Sequence, residues 1–354
     1  MIIRFIHAGC GDAIHIRFEE RPDQFRNILI DGGTEKGDIY DKGLKKVLEG
    51  IAAAENEKID LWIISHIDDD HIGGILRLLK DEETLDKLDL SQTQFWYNYA
   101  KYDYDTGIRT DQKKNVAQAI RLRDWLMSGS PVNQFITDAM VTLDLWGAKC
   151  SVLSPNQPMM ERLLRLWSKE ELVIRQQEVT GKKTASGNDY KTRLSDFDLT
   201  KEYIDQGEEN NSSIAFALEY RGERILFSAD AKAALLTAGL RRLGGGKPVL
   251  FKYVQVPHHG SKYNISDELL QLIDCREYII TGDGFNRSSL PNKYTLAKIL
   301  CANTGQEVIF HLTEKNALTN SIFNVDKEST FDVRFPAPET NYLTFNLGDP
   351  ACQA

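Results

Sequence analysis

The chain has 354 residues, of which 42% are hydrophobic and 27% charged, a composition that fits a soluble globular protein with one extended domain or two modest ones. A formal net charge of −9 excludes a protein that grips long nucleic acid through a diffuse basic face, while a local basic groove stays open. No apolar run approaches the ~20 residues that span a bilayer, and "MIIRFIHAGCGDAIHIRF" alternates like a strand instead of showing a charged start, an apolar block and a cleavage site. The expectation is a cytoplasmic chain with no membrane partner. Five cysteines, Cys10, Cys150, Cys275, Cys301 and Cys352, lack metal-type spacing and read as reduced packing residues.

Along the chain, "IIRFIH", "AIHIRF" and "NILIDGG" read as short strands, the last closed by a glycine turn. "DKGLKKVLEGIAAA" predicts an amphipathic helix, and the consecutive apolar residues Leu61 to Ile64 predict a buried strand. "SHIDDDHIGG" then falls between that strand and the helix "IGGILRLLK", on the kind of strand-to-helix loop where open α/β sheets gather ligand groups. The tyrosine-rich "YNYAKYDY" reads as an ordinary insertion more readily than as an aromatic lid. Helices are predicted at 112–127 and 158–177, followed by a polar loop, "TGKKTASGNDYKTRLSD". Order resumes with two strands joined by Arg-Gly-Glu in "NNSSIAFALEYRGERILFSADA", then strand, histidine pair and helix in "FKYVQVPHHGSKYNISDELLQLI". Short strands "EVIFHL", "SIFNV", "TFDVRF" and "NYLTFNL" close the chain.

Four of the seven histidines fall in two clusters at predicted strand ends, His66 with His71 and His258 with His259. On an extended strand tail, His66 and Asp68 project to one side while adjacent Asp70 and His71 diverge, so one cluster can serve two neighbouring ions. Asp230 arrives from another strand end, and a carboxylate can bridge two ions about 3.5–4 Å apart. Imidazole and carboxylate ligands suit Zn²⁺ or Mn²⁺. Asp69 is expected to serve the helix N-terminus. Asp12 and Asp31, each beside a glycine, read equally as turn residues or as acceptors that orient a ligand histidine.

The order "HIDDDHIGG", "NNSSIAF", "LFSADA" and "VPHHGS" resembles the metallo-β-lactamase superfamily, and within it the hydrolase domain of ComEC-like DNA-uptake proteins. "AGCGDAIHI…ILIDGG" is similar to the opening of that domain, which usually has Gly-Gln-Gly-Asp where this chain has Gly9-Cys10-Gly11-Asp12. The resemblance covers about residues 1–80 and 208–305. It implies an α/β fold, a four-layer αββα sandwich, here with a large helical and irregular insertion. Residues 1–94 and 208–354 would form the two halves, and 95–207 a lid or partner-docking insertion. It maps His66, Asp68, Asp70 and His71 onto the first ligand motif, Asp230 onto the bridging carboxylate and His259 onto the last histidine.

Two divalent ions, Zn²⁺ or Mn²⁺, are the expected cofactors, and Asp70, His258 and Ser261 the catalytic candidates. Asp70, His71 and His259 would serve one ion and His66 with Asp68 the other. Many family members have a further histidine where this chain offers Asn210, Asn211, Ser212 and Ser213, so the second ion is expected to lack a second imidazole. Another family loop commonly carries a histidine near the proline at Pro291–Asn292, and this chain has none there. The resemblance implies hydrolysis of a phosphodiester in nucleic acid or a nucleotide, with Ser261, Lys262, Lys182, Lys183, Lys191 and Arg193 as phosphate contacts. The rival expectations are a hydrolase of carboxylic esters or thioesters, and an interaction protein of a bacterial defence-type assembly whose 95–207 stretch docks a protein partner.

Overall fold

Alternating apolar residues build three antiparallel strands, β1 (Ile2–Ile6), β2 (Ala13–Arg21) and β3 (Gln24–Asp31), followed by helices α1 (Gly37–Lys42) and α2 (Leu44–Ala53). Next come β4 (Ile59–Ile64), α3 (Asp69–Leu78), α4 (Glu82–Leu85), β5 (Gln94–Tyr97), α5 (Lys114–Leu126) and β6 (Val132–Asn133). The remainder runs β7 (Leu143–Leu145), β8 (Ala148–Ser154), α6 (Gln157–Ile174), β9 (Ala215–Tyr220), β10 (Glu223–Phe227), α7 (Ala233–Gly244), β11 (Val249–Leu250), β12 (Tyr253–Gln255), α8 (Asp267–Leu270), β13 (Ile273–Asp274), β14 (Glu277–Ile280), α9 (Lys293–Ala302), β15 (Val308–Leu312), β16 (Phe331–Arg334) and β17 (Tyr342–Asn346). This is a computed structural model, which describes residues 1–99, 114–129, 131–140, 142–174, 187–205, 209–285, 289–326 and 331–348.

Two sheets stack face to face. The first has the order β17-β1-β2-β3-β4-β5-β6 and the second β16-β15-β14-β12-β10-β9-β8-β7. Side-chain alternation along β4 shows why four layers form: Leu61 and Ile63 join the cluster between the sheets with Phe5, Ile14, Phe216 and Phe227, while Trp62 and Ile64 face Leu48, Ile51 and Ile75 of the helices outside. Both faces of β4 are therefore buried, as its unbroken apolar run requires. Helices α7, α8 and α9 cover the second sheet through Leu236, Leu240, Leu269 and Leu296. The result is an αββα sandwich. Within 95–207, β5 and β6 extend the first sheet, β7 and β8 extend the second, and Leu122 of α5 and Trp167 of α6 lie against the first sheet's outer face.

Parallel pairing sets where the chain turns. β3 pairs parallel with β4, and β12 pairs parallel with both β10 and β14. The segments leaving the C-terminal ends of these five strands meet at one edge of the sandwich. No helix among the described residues is long and apolar enough to cross a membrane.

One expected strand is absent. "SIFNV" alternates, yet its start lies in a short 3-10 turn, Thr319–Ser321, because the Asn316 side-chain oxygen accepts the N–H groups of Leu318 and Thr319 and offers the backbone an alternative to sheet pairing.

Glycines lock α3 to the loop after β3. The Gly32 N–H donates to the His71 carbonyl at 2.7 Å and the Gly74 N–H to the Gly33 carbonyl at 2.8 Å, and a Cβ on Gly74 would stand 1.9 Å from the Gly32 oxygen. Gly74→Ala should lower stability by at least about 2 kcal/mol, since nothing soft can yield to the methyl. Gly50→Ala, in open space on α2, should gain up to ~1 kcal/mol. Chemical denaturation of both variants checks the pair; equal effects would refute the interlock.

Candidate metal centre

Asp230 leaves β10 with 1% of its surface exposed, and four imidazoles point their Nε2 atoms at its two oxygens. On one side, Oδ1 lies 3.3 Å from His71 Nε2 and 3.4 Å from His259 Nε2, with Asp70 Oδ2 3.5 Å from His259 Nε2. On the other, Oδ2 lies 3.4 Å from His258 Nε2 and 3.6 Å from His66 Nε2, with Asp68 Oδ2 3.8 Å from His66 Nε2. The other five residues expected as metal ligands are thus brought together around Asp230. His258 joins them on the side expected to lack a second imidazole.

Each imidazole is held from behind. His71 Nδ1 meets Asp31 Oδ2 at 2.8 Å, His259 Nδ1 meets Thr281 Oγ at 2.9 Å, and His258 Nδ1 meets Asn264 Oδ1 at 2.9 Å. His66 Nδ1 meets Ser65 Oγ at 3.0 Å, and that hydroxyl spends its own proton on Asp31 Oδ2 at 2.6 Å. With each Nδ1–H donated backward, the tautomer leaves every Nε2 lone pair facing Asp230, the arrangement that metal-binding histidines share. Asp31 sits at φ 55°, which turns its carboxylate across to Ser65 and His71. The histidine pair needs more distortion still: His258 at φ 49° and His259 at φ 53° are consecutive left-handed residues, followed by Gly260 at φ 85° pressed against Pro291. Backbone held this way costs about 1–3 kcal/mol per residue and is kept where function requires it.

The residues fit divalent ions. His66 Nε2, Asp12 Oδ1 and Asp230 Oδ1 are buried without hydrogen-bond partners, a costly state for polar atoms that cations between these groups would relieve. Asp12, His71, Asp230 and His259 offer ligand atoms all within 4.8 Å of one another, as do Cys10, Asp70 and His259. Asp12 is tied by the Gln255 amide at 2.6 Å and lies behind His259, 3.6 Å from Nδ1.

The buried carboxylates favour protons on two of these imidazoles. Burial alone would depress His259, but the carboxylates of Asp230, Asp70 and Asp12 outweigh it and raise it to about 9. His71 is likewise raised well above its ordinary value against burial, by Asp230 and Asp31. Burial opposes the charged form of Asp70 too, but the His259 hydrogen bond and the imidazole charges bring it down to about 2.

Other expected residues have different surroundings. Ser261 is buried and its hydroxyl accepts the Tyr263 N–H. Lys262 Nζ lies 4.5 Å from the centre of the Tyr203 ring. Lys191 and Arg193 are exposed, while Lys182 and Lys183 lie outside the described residues, as does Cys352. Of "YNYAKYDY", Tyr97 and Tyr99 are buried and residues 100–104 lie outside the described set. Asp69 begins α3 and accepts from the Gln118 amide of α5. Asn292 accepts the Lys262 N–H beside Pro291. Sequence reasoning missed Ser65 and Thr281, single polar residues whose only signal is adjacency to a strand end, and Asn264 and Asp205, loop residues with no such signal.

Residues 25–84 match the family model of the Metallo-beta-lactamase superfamily. The αββα sandwich is metallo-beta-lactamase-like. The matched segment holds Asp31, His66, Asp68, Asp70 and His71. Among solved structures, the metallo-beta-lactamase fold protein YhfI from Bacillus subtilis aligns over 97% of this chain and 98% of its own at 10% identity, with a TM-score of 0.41. Unliganded yeast PDE1 aligns over 97% and 99% at 11% identity, TM-score 0.42, and a diphosphatase of the PhnP family over 98% of each chain at 9% identity, TM-score 0.41. No curated protein sequence matches the chain.

Two outcomes follow for this site. Asp31→Ala releases His71 Nδ1 and should weaken Zn²⁺ affinity about 10–100-fold by titration calorimetry; unchanged affinity would show that Asp31 serves only the turn. In the metal-free protein, protonated His259 contributes stability that is full below its ordinary value of 6.5 and lost as pH rises through about 9. Zn²⁺ competes with those protons, so the Tm gain on adding it should be smallest at pH 6 and grow toward pH 9. A gain independent of pH would contradict the proton-filled site.

Proposed function

We propose that the chain is a metal-dependent hydrolase with a dinuclear centre, acting on phosphodiesters of nucleic acid or nucleotides. The observation that carries the metal reading is the convergence of four back-anchored Nε2 atoms on both oxygens of buried Asp230. His71, His259 and Asp70 would hold one ion and His66, His258 and Asp68 the other, with Asp230 between. Such ions supply Lewis acidity toward a phosphoryl oxygen and lower the pKa of water. The phosphodiester preference is supported by the resemblance of "HIDDDHIGG", "LFSADA" and "VPHHGS" to ComEC-like hydrolase domains.

The chain's own residues do the positioning. Asp70, partly exposed at the start of α3 and held as an anion, would orient an attacking water. The residues 187–205 flank the site: Asp205 accepts from Asn210 at 2.7 Å and Asn264 at 3.2 Å, and Tyr203 packs on Tyr263 and Tyr294. We assign to this segment the lid or partner-docking role expected of 95–207. Asn210, in the stretch 210–213 where many family members have a histidine and this chain has none, approaches His258 Nδ1 at 3.3 Å.

Bis-aryl phosphate should be cleaved faster than aryl acetate or a chromogenic β-lactam in a side-by-side assay. Chelation should abolish turnover and Mn²⁺ or Zn²⁺ restore it, and Asp70→Ala should reduce it by more than ~100-fold, the loss that removing even an outer partner can cause. Preference for either carbon-centred substrate would refute the substrate class, and full turnover in chelator would refute the mechanism.

A further inference from the structure

The loop between β1 and β2 carries a thiol into the metal centre. Gly9 sits at φ 76°, and Gly11 lies so close to α3 that a Cβ there would stand 2.1 Å from the Asp70 carbonyl oxygen. The Gly11 N–H reaches the Thr281 carbonyl at 3.3 Å. The loop is thereby clamped between Asp70 and the residue whose hydroxyl holds His259. Cys10, between the two glycines, brings Sγ into a group with an Asp70 oxygen and a His259 nitrogen, all within 4.8 Å of one another. A second observation concerns the same imidazole: Asp230 Oδ1, buried and without a hydrogen-bond partner, lies 3.4 Å from His259 Nε2.

Cys10 differs from the other described cysteines. Cys150 and Cys275 lie in apolar clusters, and Cys301 is exposed on α9. Cys10 instead has the Asp70 carboxylate as a neighbour, and burial, followed by the charges of Asp70, Asp283, Asp230 and Asp12, pushes its thiol well above the ordinary value. Packing explains the first two and does not explain a thiol among carboxylates.

Resting on the dinuclear reading, we propose that Cys10 is a thiolate ligand of the ion held by Asp70, His71 and His259, and that it biases this site toward Zn²⁺ over Mn²⁺. As the sulfur–metal bond forms, the thiol proton leaves to solvent and no electron changes hands. A soft sulfur donor beside two imidazoles favours zinc, whereas manganese prefers oxygen. The domain that this chain resembles usually has glutamine at this position, so the bias would belong to this chain.

Co²⁺ is the probe, because a cobalt–thiolate bond gives a near-ultraviolet charge-transfer band that imidazole and carboxylate ligands do not. The Co²⁺-loaded protein should show the band, Cys10→Ser should lose it, and Cys301→Ser should keep it. Cys10→Ser should also narrow the preference for Zn²⁺ over Mn²⁺ by at least about tenfold in competition titrations. Bound Co²⁺ without the band, or a band that survives Cys10→Ser, overturns the thiolate and leaves the dinuclear centre standing. Failure of the wild-type protein to bind Co²⁺ at all overturns both. If Cys10→Ser does not fold, alkylation of the wild-type protein read by mass spectrometry replaces it: Zn²⁺ should protect Cys10 more than Mn²⁺ does, and equal labelling with and without Zn²⁺ overturns the proposal.

Discussion

Asp230 is a carboxylate sealed among four imidazoles, and its burial dictates the rest of the centre. An anion taken this far from water is tolerable only if positive charge surrounds it on every side. Burial would raise its pKa, yet His258, His259, His71 and His66 together hold it well below the carboxylate range. The same histidines would be costly to bury charged without it. Protons satisfy the arrangement when cations are absent, and divalent cations satisfy it with the four Nε2 atoms already aimed. The polar atoms left without hydrogen-bond partners mark where cations would be held.

Topology makes that arrangement possible. Parallel pairing of β3 with β4 and of β10, β12 and β14 sends five loops to one edge, where they deliver the polar side chains of the centre, most of them from the segment after β4. Close approach then does what side-chain length cannot. The Gly32–Gly33 and Gly73–Gly74 pairs let α3 lie on the loop after β3, which brings His71 within reach of Asp31, and Gly11 lets the first loop lie on Asp70. The backbone strain at His258 and His259 has the same origin. Two adjacent side chains must reach opposite oxygens of one carboxylate, and consecutive left-handed residues ahead of Gly260 allow it.

Much of this could be read from the residues because the densest signal coincides with the sharpest structural boundary. "SHIDDDHIGG" follows an apolar strand, and "LFSAD" and "VPHH" end strands in the same way, so the histidine and carboxylate clusters were accessible from the pattern and the layered α/β fold from the resemblance those motifs carry. What was hidden depended on long-range pairing or on the sign of a dihedral angle. β17 returns to pair with β1 across nearly the whole chain, as Ile2 opposite Asn346 shows. β6 and β7, of two and three residues, are too short for periodicity to reveal. The expectation of a histidine-poor second side followed from the residues at 210–213, and it missed that His258 reaches that side once its backbone turns left-handed. Cys10 showed no metal spacing because its partners, Asp70 and His259, are distant in the chain.

Diffraction data collected at the metal absorption edge, from crystals grown with Zn²⁺ or Mn²⁺, test the central claim most directly. The account predicts two anomalous peaks about 3.5–4 Å apart, one on each side of the Asp230 carboxylate. One peak would lie among Asp70, His71 and His259 and the other among His66, Asp68 and His258. A single peak, or peaks that leave the Asp230 oxygens without a cation, would contradict it.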